Sequence, residues 1–166
     1  AAESLDTTSW FDRNSRNLEA SLPTPARGIS RYHLDRVLAS EFESLGGRLH
    51  LGKRFPMEAM TNEGVVRATG REIEKGSDWL GLKAHWFDVE LEADLEMHLG
   101  DEGYIGLSRV EDGRTNVAGL FRRRSGVKAK AREALIAYAD QCGLGRLAAK
   151  LRRASLDRAS CLGVSS

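Results

Sequence analysis

GYIGLSRVEDGRTNVAGLF, residues 103–121, holds the run Tyr104 to Val110 and all but the last residue of a second, Thr115 to Arg122, the two joined across Glu111-Asp112-Gly113-Arg114. Asp-Gly suits the two left-handed positions of a type I′ turn, whose twist matches that of antiparallel strands. In that register Glu111 stands opposite Arg114 as an opposite-charge pair. An antiparallel hairpin therefore sits in the second half of the chain, and the rest of the fold has to be built around it.

Immediately upstream, every odd position from Phe87 to Leu99 is apolar and every even one from Asp88 to His98 is polar. Period two predicts a strand that buries its odd face, despite the poor strand propensity of Asp and Glu. Trp79 to Trp86 alternates in the opposite phase, so a bulge or loop is expected near Trp86 and Phe87. His85 and His98 lie at the polar positions of their runs and are expected to face solvent. No carboxylate motif at ligand spacing accompanies them, so no metal site is expected. Trp79, Trp86 and Phe87 read as core, or as the wall of an apolar tunnel.

Further out, Leu34, Val37, Leu38, Phe42 and Leu45 recur at helical spacing after Ser30, which predicts a helix over Arg31 to Leu45 with Gly46-Gly47 as its stop. Arg48 to Phe55 and Gly64 to Thr69 read as strands. Pro23 and Pro25 argue for an irregular segment over residues 1–27. Downstream, helices are expected from Ser125 to about Cys142 and from about Arg146 to Ala154. The class is α+β: a helix-strand unit over 28–78, an antiparallel sheet over 79–124, then two helices and a tail over 125–166.

Composition narrows the possible roles. With 41% hydrophobic and 30% charged residues, the 166-residue chain has the profile of one folded unit rather than a disordered segment. Cys142 and Cys161 form no Cys-x-x-Cys pattern, no apolar run is long enough to span a membrane, and a cytoplasmic setting is expected. The net charge is +1, but residues 101–166 hold thirteen Lys or Arg against seven Asp or Glu. The basic run Arg122-Arg123-Arg124, Lys128, Lys130 and Arg132 raises the alternative of a nucleic-acid surface. The acidic stretch 88–96 and the lack of interleaved aromatics weigh against it. No Ser/His/Asp order, Cys/His pair or phosphate loop supports a hydrolase or kinase.

Four segments taken in order, GISRYHLDRVLASEFESLGG (28–47), VVRATGRE (65–72), WLGLKAHW (79–86) and GYIGLSRVEDGRTNVAGLF (103–121), resemble the central part of FAD-dependent oxidoreductases of the para-hydroxybenzoate hydroxylase fold. The likeness is greatest to the branch with geranylgeranyl-reductase-like and halogenase-like flavoproteins, and it covers roughly residues 28–160. It implies FAD as cofactor, with Ser30, Arg31, Ala68, Thr69, Gly70 and Arg71 on the flavin side. It implies that the sheet carrying Lys83, His85, Tyr104 and Gly106 roofs the isoalloxazine and lines a substrate pocket.

The Gly-x-Gly-x-x-Gly segment that receives the pyrophosphate in such proteins has no counterpart here, nor has their later Gly-Asp segment. The chain is thus expected to be a fragment or reduced form of an oxidoreductase or monooxygenase acting on a mostly apolar organic substrate. Alone it is expected to retain little flavin and to be inactive, with its partners the remaining parts of a larger flavoprotein and no catalytic residue assigned. The alternative is a non-enzymatic α+β module that holds a small apolar molecule.

Overall fold

The computed structural model describes residues 1–54, 56, 63–66, 68, 70, 77–123 and 131–165, with the side chains of 131–132 and 161–165 outside the description. The chain divides into two units, one formed by residues 1–30 and 74–166 and the other by residues 31–73. The first is a seven-stranded sheet with two helices. Its strands are β1 (Glu3–Phe11), β2 (Asn17–Gly28), β3 (Trp79–Phe87), β4 (Leu95–Gly100), β5 (Gly103–Val110), β6 (Arg114–Arg122) and β7 (Ser155–Ser165). Their order in space is β2-β1-β4-β5-β6-β3-β7, antiparallel throughout except for the parallel pair β1 and β4. The α+β class expected from the sequence is the class observed.

The central hairpin forms where Asp112-Gly113 demands it, with φ of 61° and 69° at those residues. Its register differs by one residue from the expected one: Val110, not Glu111, stands opposite Arg114. Glu111 is left as an extra residue at the turn, and its side chain folds inward to 1% exposure.

Residues 1–27 correct the sequence reading, because they form β1 and β2 rather than an irregular segment. Proline is tolerated here because β2 is an edge strand and because the pairing jumps from Leu5–Ala26 to Thr7–Ser21, leaving Pro23 and Pro25 out of the ladder. The C-terminal tail is likewise corrected to a strand, β7, on the opposite edge.

The long alternating strand expected over Phe87 to Leu99 is replaced by the end of β3, a loop, and the short β4. The break falls at Asp88, whose φ is +59°. Two acidic residues of this stretch, Asp94 and Glu96, bind backbone, whereas Asp88, Glu90 and Glu92 are exposed. Asp94 Oδ2 accepts the N–H groups of Asp6 (3.0 Å) and Thr7 (3.1 Å) and the Thr7 hydroxyl (2.9 Å). Glu96 Oε1 accepts the Glu92 N–H at 2.5 Å.

Helices α2 (Ala131–Gln141) and α3 (Gly145–Arg153) cover one face of the sheet. The core joins Leu82, Trp86, Ile105, Leu107, Val117 and Phe121 of the strands to Leu135, Tyr138, Ala139, Leu147, Ala148 and Leu151 of the helices. The start expected for the first of these helices, residues 125–130 with Val127, lies outside the described residues.

In the second unit, α1 (Arg31–Ser44) ends as its glycines require. Gly46 N donates to Glu43 O (3.0 Å) and Gly47 N to Phe42 O (2.9 Å), with Gly46 at φ +87°. Its apolar residues Val37, Leu38, Phe42 and Leu45 are exposed. Residues 48–54 form no strand, which corrects that expectation. Of 64–69, positions 67 and 69 are outside the described residues and the others carry no strand either.

Candidate functional site

A sheet with helices on one side has to present its other side elsewhere, and the register says which residues lie there. Three cross-strand rows run over the four central strands. Gly81, Leu120, Tyr104 and Leu99 form the first; Lys83, Ala118, Gly106 and Met97 the second; His85, Asn116, Ser108 and Leu95 the third. Side chains of directly paired residues share a face. Lys83, His85, Tyr104 and Gly106, inferred from the resemblance as pocket residues, are therefore on one surface, the one away from α2 and α3.

The composition of that surface reverses what the sequence suggests for β4. Its apolar residues Leu95 and Met97 are only partly buried and Leu99 is 46% exposed, whereas Glu96 and His98 are the buried positions, at 0% and 8%. The period of two is right and the buried side is wrong. Glu96 is accommodated under the helices because His98 Nε2 lies 2.9 Å from one of its oxygens and Lys150 Nζ 3.7 Å away. Burial pushes the Glu96 carboxyl up, but the His98 contact, the Glu92 N–H and Lys150 outweigh it and leave it below the usual carboxylate range. Phe11 stacks on the His98 ring at 4.6 Å between centroids. The cleft beside them, lined by Phe11, Arg13, His98, Leu147 and Lys150, has about 20 Å³ of space, enough for a water molecule and too little for an organic substrate.

The two histidines thus lie on opposite faces, and neither is solvent-facing as expected. His85 is 6% exposed. Burial first, then the charges of Lys83 and Arg114, hold its pKa below the ordinary value against the pull of Asp157 and Glu111, so the ring is neutral at neutral pH. Among the described residues no group hydrogen-bonds its Nε2, and the facing Asn116 Oδ1 is equally unpartnered. Asn116 carries no sequence motif. Only the pairing of β6 with β3 brings it to His85. Trp86 lies wholly in the core, while Trp79 and Phe87 are 40% and 37% exposed on the other side, so the three aromatics form no common wall.

At one end of this face stands the buried Glu111. Its carboxylate accepts the Ser30 N–H at 2.8 Å and the Ser30 hydroxyl, and pairs with Arg114 at 3.2 Å. Ser30 is therefore held at the residue where the chain leaves the sheet for α1. Arg31 begins α1 and is paired with Asp35 at 2.6 Å. Ala68 and Gly70 are exposed, with Gly70 at φ +80°, and Thr69 and Arg71 lie outside the described residues. Of the basic run, Arg122 pairs with Glu102 at 2.7 Å and Arg123 Nε donates to Ser77 O at 3.1 Å, while residues 124–130 are outside the description. Among the described residues there is no cluster that could hold a metal ion, and no helix is long and apolar enough to cross a membrane.

No family model matches the chain, and no curated protein does. Solved structures do. Klebsiella pneumoniae HpxO, complexed with FAD and uric acid, matches over 100% of this chain and 52% of its own, with a TM-score of 0.63 at 14% identity. The flavin-dependent brominase Bmp2 matches over 98% and 50%, with a TM-score of 0.69 at 11% identity. A flavoprotein/dehydrogenase from Cytophaga hutchinsonii matches over 98% and 50%, with a TM-score of 0.64 at 11% identity. The chain spans about half the length of each, and its fold is similar to the matched part of these flavoproteins.

Proposed function

We propose that the chain is the sheet-bearing part of an FAD-dependent oxidoreductase or monooxygenase, and that the uncovered face of the sheet holds a mostly apolar organic substrate against the flavin. The observation that carries this is β4, which turns Leu95, Met97 and Leu99 away from the helices and buries Glu96 and His98 beneath them. An apolar patch placed outward at the cost of a buried polar pair is the mark of a surface that meets something other than water. The neighbours in fold are flavoproteins, one of them bound to FAD together with a small heterocycle.

In this proposal Lys83, His85, Tyr104 and Gly106 lie on the substrate side. Gly106, facing Ala118 and Met97, leaves room for a planar molecule to approach the backbone. Ser30, Arg31, Ala68, Thr69, Gly70 and Arg71 belong to the flavin side. FAD, where bound, supplies the redox chemistry; these residues would position the ligand and exclude water. The purified chain should elute from gel filtration without flavin absorbance, and a version that includes the nucleotide-binding segment should elute yellow. Failure of the longer version to bind any flavin would refute the proposal.

A further inference from the structure

We infer that His85 and Asn116 form a two-point polar anchor for a ligand that sets a hydrogen donor beside an acceptor, as the N–H and C=O edge of a cyclic amide does. This rests on the uncovered face being the ligand-binding face, and it adds the class of ligand that face selects. The two residues are direct cross-strand partners, so their Cβ atoms lie about 5 Å apart, within reach of one small ring. Both polar atoms, Nε2 of His85 and Oδ1 of Asn116, are buried and lack a hydrogen-bond partner among the described residues. A buried polar atom left unpaired is costly in a folded chain, and one ligand that bonds both of these cross-strand neighbours removes both costs.

The chemistry fixes the direction of each bond. An amide oxygen only accepts, so the ligand must donate an N–H to Asn116 Oδ1. Its carbonyl then accepts from Nε2–H of His85, a donor that a neutral imidazole supplies in one tautomer. Ser108, beside Asn116 in the same row, and Leu95 beyond it continue the row towards apolar ground on which the rest of the ring can lie.

Three probes test this on the full chain labelled with ¹⁵N: 2-pyridone, N-methyl-2-pyridone and benzene, titrated while the His85 ring nitrogens are followed by NMR. The expected result is that 2-pyridone binds about tenfold more tightly than its N-methyl analogue and shifts the Nε2 signal. Asn116→Val, which suits a strand and should fold, should abolish that preference; His85→Phe should remove the signal and so assign it. Equal binding of the two pyridones, or an Nε2 signal that does not move, overturns the anchor. If all three probes bind alike, the anchor alone is lost. If none of the three probes binds, the uncovered face is not a ligand surface and the proposed function falls with it.

Discussion

Replacing Glu111 by Gln keeps the size of a fully enclosed side chain and removes only its charge. Burial raises the pKa of Glu111, but the Ser30 hydroxyl and N–H, its own backbone N–H and Arg114 together outweigh burial and bring it from 4.5 to about 2. A folded-state pKa below the unfolded one means that the unfolded chain binds more protons, so the contribution is complete above the unfolded pKa and fades as pH falls towards the folded one. A difference of about 2.5 units corresponds to roughly 3 kcal/mol at pH 7, and to only about 1.4 kcal/mol at pH 3. Urea unfolding of the natural chain and of Glu111→Gln, each at pH 7 and pH 3, should therefore show a gap that narrows by about half. Other carboxylates titrate in both proteins and cancel in the comparison. A gap of the same size at both pH values would show that the amide satisfies Ser30 as well as the carboxylate does, and that charge has no part in holding Ser30.

Glu96→Leu should cost about 3–5 kcal/mol in denaturant unfolding, because it removes the partner of Lys150 on α3 and of the buried His98, and adding Lys150→Met should recover part of that loss. Gly28→Ala should lower stability by about 1–3 kcal/mol, since a Cβ there would press on the rigid Arg109 carbonyl oxygen; an unchanged melting temperature would show that β2 can slide away. Leu151→Ala, at a wholly buried α3 position, should cost about 2–5 kcal/mol. Leu99→Ser, on the uncovered face, should stay within about 0.5 kcal/mol by the same assay.

Elements specified by local chemistry could be read from the sequence, and those specified by tertiary context could not. Asp112-Gly113 and Gly46-Gly47 each demand a left-handed backbone, and both the hairpin and the end of α1 formed where they stand. Trp79 to Phe87 could be found because its alternation matches its true environment. β2 was hidden by prolines that are harmless only on an edge, and an edge is not a local property. β4 misled for a related reason: periodicity gives the two faces of a strand but not which one the helices will cover. Of the candidate site, Lys83, His85, Tyr104 and Gly106 could be placed together through resemblance. Asn116 and Glu111 could not, because each matters through a partner on another strand or segment that only the register reveals.

The orientation of β4 is a choice between two burials. Turning it over would place Leu95, Met97 and Leu99 against the helices, a gain of about 1.5–3 kcal/mol for each side chain fully buried, and would release Glu96 and His98 to water. Core stability alone therefore favours the opposite face. What prevents the flip is the pairing on both sides: β5 meets β4 with Ile105 opposite His98 and Leu107 opposite Glu96, and both are wholly buried in the core. Slipping β4 by one residue against β5 would correct its own pattern only by breaking the ladder to β1, where Phe11 is stacked on His98. The neighbours thus fix the register, and Glu96 is then accommodated inside by its contacts with His98 and Lys150. The apolar residues that end up outside are retained against the interest of the core, which supports a role for them in contact with a ligand rather than in folding.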